Sequence, residues 1–221
     1  MADPFQFATP AWRIVLDVAA ALGTVSAVLV ALFGQAFRAK FFPPKLSLSL
    51  ADVLGEGTHV MLVPPPGVQS EPRSEEARYY HLQVANSRRW SPATEARVVL
   101  LQVEEPGPDG RLQIRWNGDI PLGWRHNTVF PPFRTVGPDA FADLCSVVRE
   151  KWLQLHTLLT PFNLETTRRQ AATLVVSVQV HAAEANSNVV RIKIAWDGRF
   201  AEGAQEMRRH LTVEEIHEPA V

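Results

Sequence analysis

Twenty consecutive uncharged residues, Val18 to Phe37 (VAAALGTVSAVLVALFGQAF), set the first condition on how this chain folds. As a helix they span about 30 Å at roughly 1.5 Å per residue, the thickness of a bilayer's hydrocarbon core. Ile14, Val15 and Leu16 lengthen the run, interrupted by Asp17. Trp12 and Arg13 before it, and Arg38, Lys40, Phe41 and Phe42 after it, are the aromatic and long cationic groups that favour the two interfaces. Pro43 and Pro44 stop the helix, because proline has no amide hydrogen to donate. The expected layout is a tail over 1–13, a transmembrane helix over 14–37 in contact with the lipid bilayer, and a basic juxtamembrane linker over 38–45.

Three other readings of the segment fit less well. A cleavable signal peptide has its basic residues before a shorter apolar stretch and a small-x-small site after it; here the basic cluster follows and the stretch is long. A buried core helix carries a polar stripe, and this one has only Thr24, Ser26 and Gln35. An interfacial helix needs a charged face, which is missing. Arg38, Lys40 and Lys45 on the trailing side, against Asp3, Arg13 and Asp17 on the leading side, place the N-terminus outside and the C-terminal domain in the cytosol of a cell membrane. Within the span, Ala19, Gly23, Ala27 and Ala31 fall on one helix face, a small-residue stripe through which two copies of the helix could pack.

After Pro44 the pattern changes to a period of two. Leu46, Leu48 and Leu50 alternate with polar residues, as do Tyr80, Leu82 and Val84; Leu174, Val176, Val178 and Val180; and Val190, Ile192, Ile194 and Trp196. Ala183–Asn188 (AEANSN) and Pro106–Gly110 (PGPDG) carry turn residues between such runs and predict two hairpins. A last strand is expected over Leu211–Ile216. Asp139–Leu155 reads equally as a helix or as a broken strand pair, and Glu202–Arg209 as a short helix. The stretches Val63–Glu76 and Phe130–Phe133 are rich in proline and read as loops, with Pro64–Pro66 the one candidate polyproline ligand. Many strands and few helices give a mainly β fold: an N-terminal transmembrane α-helix followed by an antiparallel β-sandwich over 46–216, with a tail over 217–221. Trp90, Trp116, Trp124, Trp152 and Trp196 are candidates for its core.

Two segments carry a resemblance. YYHLQVANSRRWSPATEARVVL (79–100) and SVQVHAAEANSNVVRIKIAWDG (177–198) resemble bacterial immunoglobulin-like sandwich modules, in which a strand ends at Asn and an Ala-led strand returns. Helix, basic stop, Pro-Pro and such a domain together are similar to uncharacterised single-pass bacterial membrane proteins. The resemblance implies an immunoglobulin-like sandwich and brings no activity, cofactor or site residue.

Chemistry-bearing motifs are scarce. The chain has no phosphate-binding glycine loop, GxSxG, HExxH or CxxC. His59, His81, His126, His156, His181, His210 and His217 lack metal-ligand spacing, so no metal and no cofactor is expected. His81 and His181 fall on outward strand positions and are expected in solvent. Cys145, flanked by Leu144 and Val147, reads as a buried small side chain, so no catalytic residue is assigned. The adjacent acids Glu104–Glu105 and Glu214–Glu215 point to opposite faces of a strand.

Charge argues in the same direction. The 22 Lys and Arg against 23 Asp and Glu give the chain −1 overall. Setting aside Arg13, Arg38, Lys40 and Lys45 with Asp3 and Asp17 leaves 18 basic against 21 acidic residues beyond residue 45, so a nucleic-acid partner is not expected. The reading is a membrane-anchored, non-enzymatic protein whose cytosolic sandwich binds a protein or small ligand, or associates with itself. Its candidate recognition loops hold Arg88, Arg89 and Trp90; Trp124, Arg125, His126 and Asn127; and Asn186 to Asn188. The alternatives are a structural subunit of a larger membrane assembly and, third, an enzyme whose site is built from scattered residues, which a pocket lined by His and Asp or Glu would favour.

Overall fold

Thirty-one residues, Ala11–Phe41, form helix α1 in the computed structural model, which describes residues 11–63, 71–126, 132–149 and 152–216. Trp12–Gly34 within it is long and apolar enough to cross a membrane, with a mean hydropathy of 2.2. Leu22, Leu29 and Leu32 are exposed, and the Thr24 hydroxyl finds a partner within the helix, Oγ1 donating to Ala20 O at 2.9 Å. Arg38 and Lys40 in the last turn offset the negative end of the helix dipole. Ala19, Gly23, Ala27 and Ala31 lie on this helix, with open space around Gly23 where a side chain would be. The tail up to residue 10, Pro64–Pro66, Asn127 and the tail from His217 lie outside the described residues.

A second compact unit begins at Pro44. Its strands are β1 (Leu46–Leu50), β2 (Glu56–Leu62), β3 (Arg73–Asn86), β4 (Ala93–Pro106), β5 (Leu112–Pro121), β6 (Arg134–Val136), β7 (Asp139–Val148), β8 (Trp152–Leu155), β9 (Thr167–Arg168), β10 (Ala172–His181), β11 (Val190–Trp196) and β12 (Leu211–Ile216). One helical turn, α2 (Ala204–Met207), precedes β12. The strands make two six-stranded antiparallel sheets. Sheet one runs β1-β3-β7-β8-β9 with β2 also on β3, and sheet two runs β12-β11-β10-β4-β5 with β6 also on β4. The chain thus fills the sheets three strands at a time, alternating between them. β1 and β2 lie end to end along one edge of β3, pairing with residues 82–86 and 73–79, while β7 takes the other edge.

Inward residues of both sheets form one apolar cluster, among them Leu48, Tyr80, Leu82 and Val84 from sheet one and Val98, Val176, Val178, Ile192 and Ile194 from sheet two. Trp116, Trp124 and Trp196 join it, and the latter two satisfy their indole N–H on Pro132 O and Arg199 O, each at 2.7 Å. The ring of Trp116 covers Gly118, where a Cβ would come within 2.4 Å of it. The expected core roles of Trp90 and Trp152 are corrected. Trp90 is 60% exposed on the β3–β4 loop, and Trp152 is half-buried at the start of β8.

Both predicted hairpins are present, β4–β5 and β10–β11, and so are the strands over Leu46–Leu50 and Leu211–Ile216. Asp139–Leu155 is a strand pair, β7 and β8. The loop expected through Glu76 ends earlier, because β3 has already begun at Arg73. At its other end β3 stops at Asn86, a buried side chain that fixes three backbone groups. Its Nδ2 donates to Ser91 O at 2.8 Å, and its Oδ1 accepts from Lys45 N at 3.2 Å and Arg88 N at 3.0 Å. Asn86→Ala leaves all three without that partner and should cost about 2 kcal/mol, a few unmade buried hydrogen bonds. A urea midpoint unchanged from wild type would show that water replaces the carboxamide.

Candidate functional site

The chemistry-bearing side chains gather on the outer face of sheet one, and a change of register places them there. Alternation in β3 sends Tyr80, Leu82 and Val84 into the core and Tyr79 and His81 outward. Across from them His81 pairs with Asp143 and Tyr80 with Cys145, so Leu144 is an extra residue in β7. A bulge of this kind resets which face each side chain meets. Asp143 before it and Ser146 after it both fall beside Tyr79 and His81, while Ala142 and Cys145 point to the core.

The resulting contacts are close. His81 Nδ1 lies 2.8 Å from Asp143 Oδ1, and His81 Nε2 lies 3.7 Å from Glu56 Oε2. The Tyr79 ring stacks against His81 at 6.2 Å and against His156 at 5.0 Å between centroids. His156 Nε2 is 2.8 Å from the buried Ser146 Oγ. Burial and then the nearby Asp143 carboxylate raise the Tyr79 pKa, which a hydrogen bond from Ser146 opposes, so the phenol stays protonated near neutral pH. Burial holds the His156 imidazole below its ordinary pKa; Asp143 works against this and His81 with it.

The other wall arrives from sheet two. Beyond Pro121 the chain leaves β5 and crosses over. Leu122 N donates to Val98 O in sheet two, whereas Gly123 N donates to His156 O and Arg125 N to Phe141 O in sheet one. This crossing delivers Arg125, whose Nη2 donates to both carboxylate oxygens of Glu56 at 2.7 and 2.5 Å. Its Nε donates to His126 Nε2 at 3.1 Å. His126 has a φ of 58°, a left-handed conformation that residues with a Cβ seldom adopt. Glu56 is placed by Gly55, whose φ of 65° turns the chain into β2 where a Cβ would meet Tyr79 O at 2.8 Å.

Glu56, Tyr79, His81, Arg125, His126 and Asp143 line a cleft of about 280 Å³ with Thr58, His59, Val60 and Trp124. Its polar groups find partners within the chain, Arg125 on Glu56 and His81 on Asp143. Among the described residues, no three His, Cys, Asp or Glu side chains are placed to hold a metal ion. A larger hollow of about 1030 Å³ beside Thr160–Thr173 is open, and its Arg168 is bridged by Glu105 and Glu165.

The expected recognition loops separate into two places. Arg125 and His126 reach the cleft, and so does Trp124, which is 2% exposed and also belongs to the core cluster. Arg88, Arg89 and Trp90 lie elsewhere, at the end of the domain where β4 begins. Asn186 and Asn188 are exposed at that same end, since Ala183 N donates to Thr94 O and Thr94 N to Glu184 Oε2 at 2.9 Å. His81 is not in solvent as expected; its side chain is 11% exposed because Asp143 and Tyr79 enclose it. His181 is half-buried, with Nε2 2.9 Å from Gln179 Oε1. Glu56, Tyr79 and Asp143 are not singled out by the sequence, and His156 only as a histidine without metal-ligand spacing; the outward alternation of Tyr79 and His81 in β3 is the one available signal. Cys145 is fully buried in the core, and burial pushes its thiol pKa far up, so it is no nucleophile. No family model, curated protein or solved structure matches this chain.

Because the folded chain binds a proton at His156 less readily than the unfolded chain, the stability this residue contributes is complete above about pH 6.5. It is lost as the pH falls from there through the lower folded value. His156→Gln keeps a hydrogen-bonding group toward Ser146 and should flatten the acid side of the stability curve. Urea midpoints measured from neutral to mildly acidic pH check this; a slope identical to wild type would assign the acid sensitivity to other groups.

Proposed function

We propose that this chain is a single-pass membrane protein, N-terminus outside, whose cytosolic β domain binds a protein or small polar ligand at the Tyr79–His81–Asp143–Arg125 cleft without transforming it. The cleft carries the reading. It offers aromatic faces and paired charges on a hydrogen-bonded sheet, which holds recognition groups in place at little conformational cost. Ser146 lies beneath His156 and Cys145 lies in the core, away from the cleft. The length of α1, the basic residues that follow it and the mismatch with a signal peptide support the anchor and its orientation. An immunoglobulin-like origin of the sheets, as in single-pass bacterial membrane proteins, belongs to the same reading, and the strand ending at Asn86 with its Ala93-led return supports it.

The strongest rival is an acid–base enzyme, favoured by one observation: an imidazole, His81, held by a carboxylate and facing a cleft. A structural subunit draws on β5, an edge strand that exposes Leu112 and Ile114.

Two experiments test the reading. A C-terminal green fluorescent protein fusion should fluoresce and a C-terminal alkaline phosphatase fusion should be inactive; the opposite pair reverses the topology. In pull-downs of the detergent-extracted full-length chain, a stoichiometric partner should be lost with His81→Ala and with Arg125→Ala. Retention by both variants would move recognition away from the cleft. Loss with Gly23→Leu and Ala27→Leu alone would assign association to the helix stripe.

A further inference from the structure

The cleft of sheet one already holds a carboxylate, and that carboxylate belongs to the chain itself. Glu56 places both oxygens on Arg125 Nη2, at 2.7 and 2.5 Å, and its Oε2 lies 3.7 Å from His81 Nε2. The three groups are held to different degrees. His81 lies within β3, paired with β7, and Arg125 N donates to Phe141 O of β7; their side chains are 11% and 29% exposed. Glu56 is the first residue of β2, a strand that pairs with β3 alone among the described residues, and its side chain is 52% exposed. The receptor is thus set by the sheet, while its occupant stands at the rim. A guanidinium that accommodates one planar carboxylate accommodates another in the same way.

Charge favours exchange over addition. The cleft is lined by Glu56 and Asp143 against Arg125, beside the imidazoles of His59, His81 and His126. An anion added to this set meets two carboxylates. One that takes over Arg125 while Glu56 turns to solvent leaves the number of carboxylates on that guanidinium unchanged, and Asp143 stays on His81 Nδ1 at 2.8 Å. A second negative charge on the ligand finds no further guanidinium or ammonium among the lining residues. Tyr79, Val60 and Trp124 offer an organic body an apolar wall. The volume of about 280 Å³ keeps that body small, being at the foot of the range of about 300–1,000 Å³ that drug-sized ligands occupy. We propose that the cleft takes its ligand by a single carboxylate, of a small free acid or of a peptide C-terminus, which replaces Glu56 on Arg125. This rests on the cleft being the recognition site, and it names the group recognised there.

The test titrates the full-length chain in non-ionic detergent by calorimetry with two pairs of probes. Benzoate is compared with benzamide, and a Gly-Gly-Phe peptide with a free C-terminus is compared with its C-terminal amide. At least one carboxylate should bind and its uncharged counterpart should not; which pair responds tells a small acid from a peptide terminus. Glu56→Gln should tighten that carboxylate about fivefold, the worth of one partly exposed ion pair. Arg125→Gln should abolish its binding, alone and combined with Glu56→Gln. Continued protection of the buried Cys145 from a maleimide reports that each variant is folded. Equal affinity in wild type and Glu56→Gln, binding that survives Arg125→Gln, or no carboxylate bound by folded Glu56→Gln overturns the exchange. If a captured partner is nonetheless lost with Arg125→Ala, the cleft remains the recognition site and only the carboxylate is withdrawn. A partner retained by that variant, together with silent probes, removes both readings.

Discussion

Nearly every strand in the β domain is laid on β3 or β4, directly or through β7 and β10, and these two long strands belong to different sheets. Six residues join them, Ser87 to Pro92, and the Asn86 carboxamide holds that passage by bonding to Ser91, Arg88 and Lys45. A polar group buried at a sheet-to-sheet step has to be satisfied within the protein. One asparagine does this for the outgoing loop and for the entry of β1 together. The register of β1 on β3, and hence which of Leu46, Leu48 and Leu50 face inward, starts from that point.

The elements with strict alternation and clean turn residues were legible in the sequence: β1, the β4–β5 and β10–β11 hairpins, and β12. The run from Asp139 to Leu155 was not, and its ambiguity has a cause. The bulge at Leu144 breaks the period of two, so Leu144, Cys145, Ser146, Val147 and Val148 are all buried in succession. A continuous apolar run reads as well for a helix as for a strand. The same bulge builds the cleft, which is why the least readable strand is the one that carries Asp143. Arg125 illustrates a second limit. Its nearness to Glu56, 69 residues away, follows from a chain that changes sheets after Pro121, and local periodicity holds no trace of such a step.

Within the cleft, the polar and charged groups are already paired with one another. Arg125 covers Glu56 with two hydrogen bonds, and the imidazole of His81 lies between Glu56 and Asp143. Any ligand entering here would exchange partners with groups already satisfied, so its own hydrogen-bonding pattern would decide how well it fits.

The filling of the sheets in threes has a consequence for how the chain comes to be folded. When β1, β2 and β3 have left the ribosome, the far edge of β3 has no neighbour until β7 follows, more than fifty residues later. β4 waits in the same way for β10. Long-range pairing of this sort closes large loops and is slow, and an unpaired edge in the interval invites other strands. The interleaved order of segments, in which each long strand precedes its second partner by tens of residues, therefore makes this a domain that assembles late, after most of it has been synthesised.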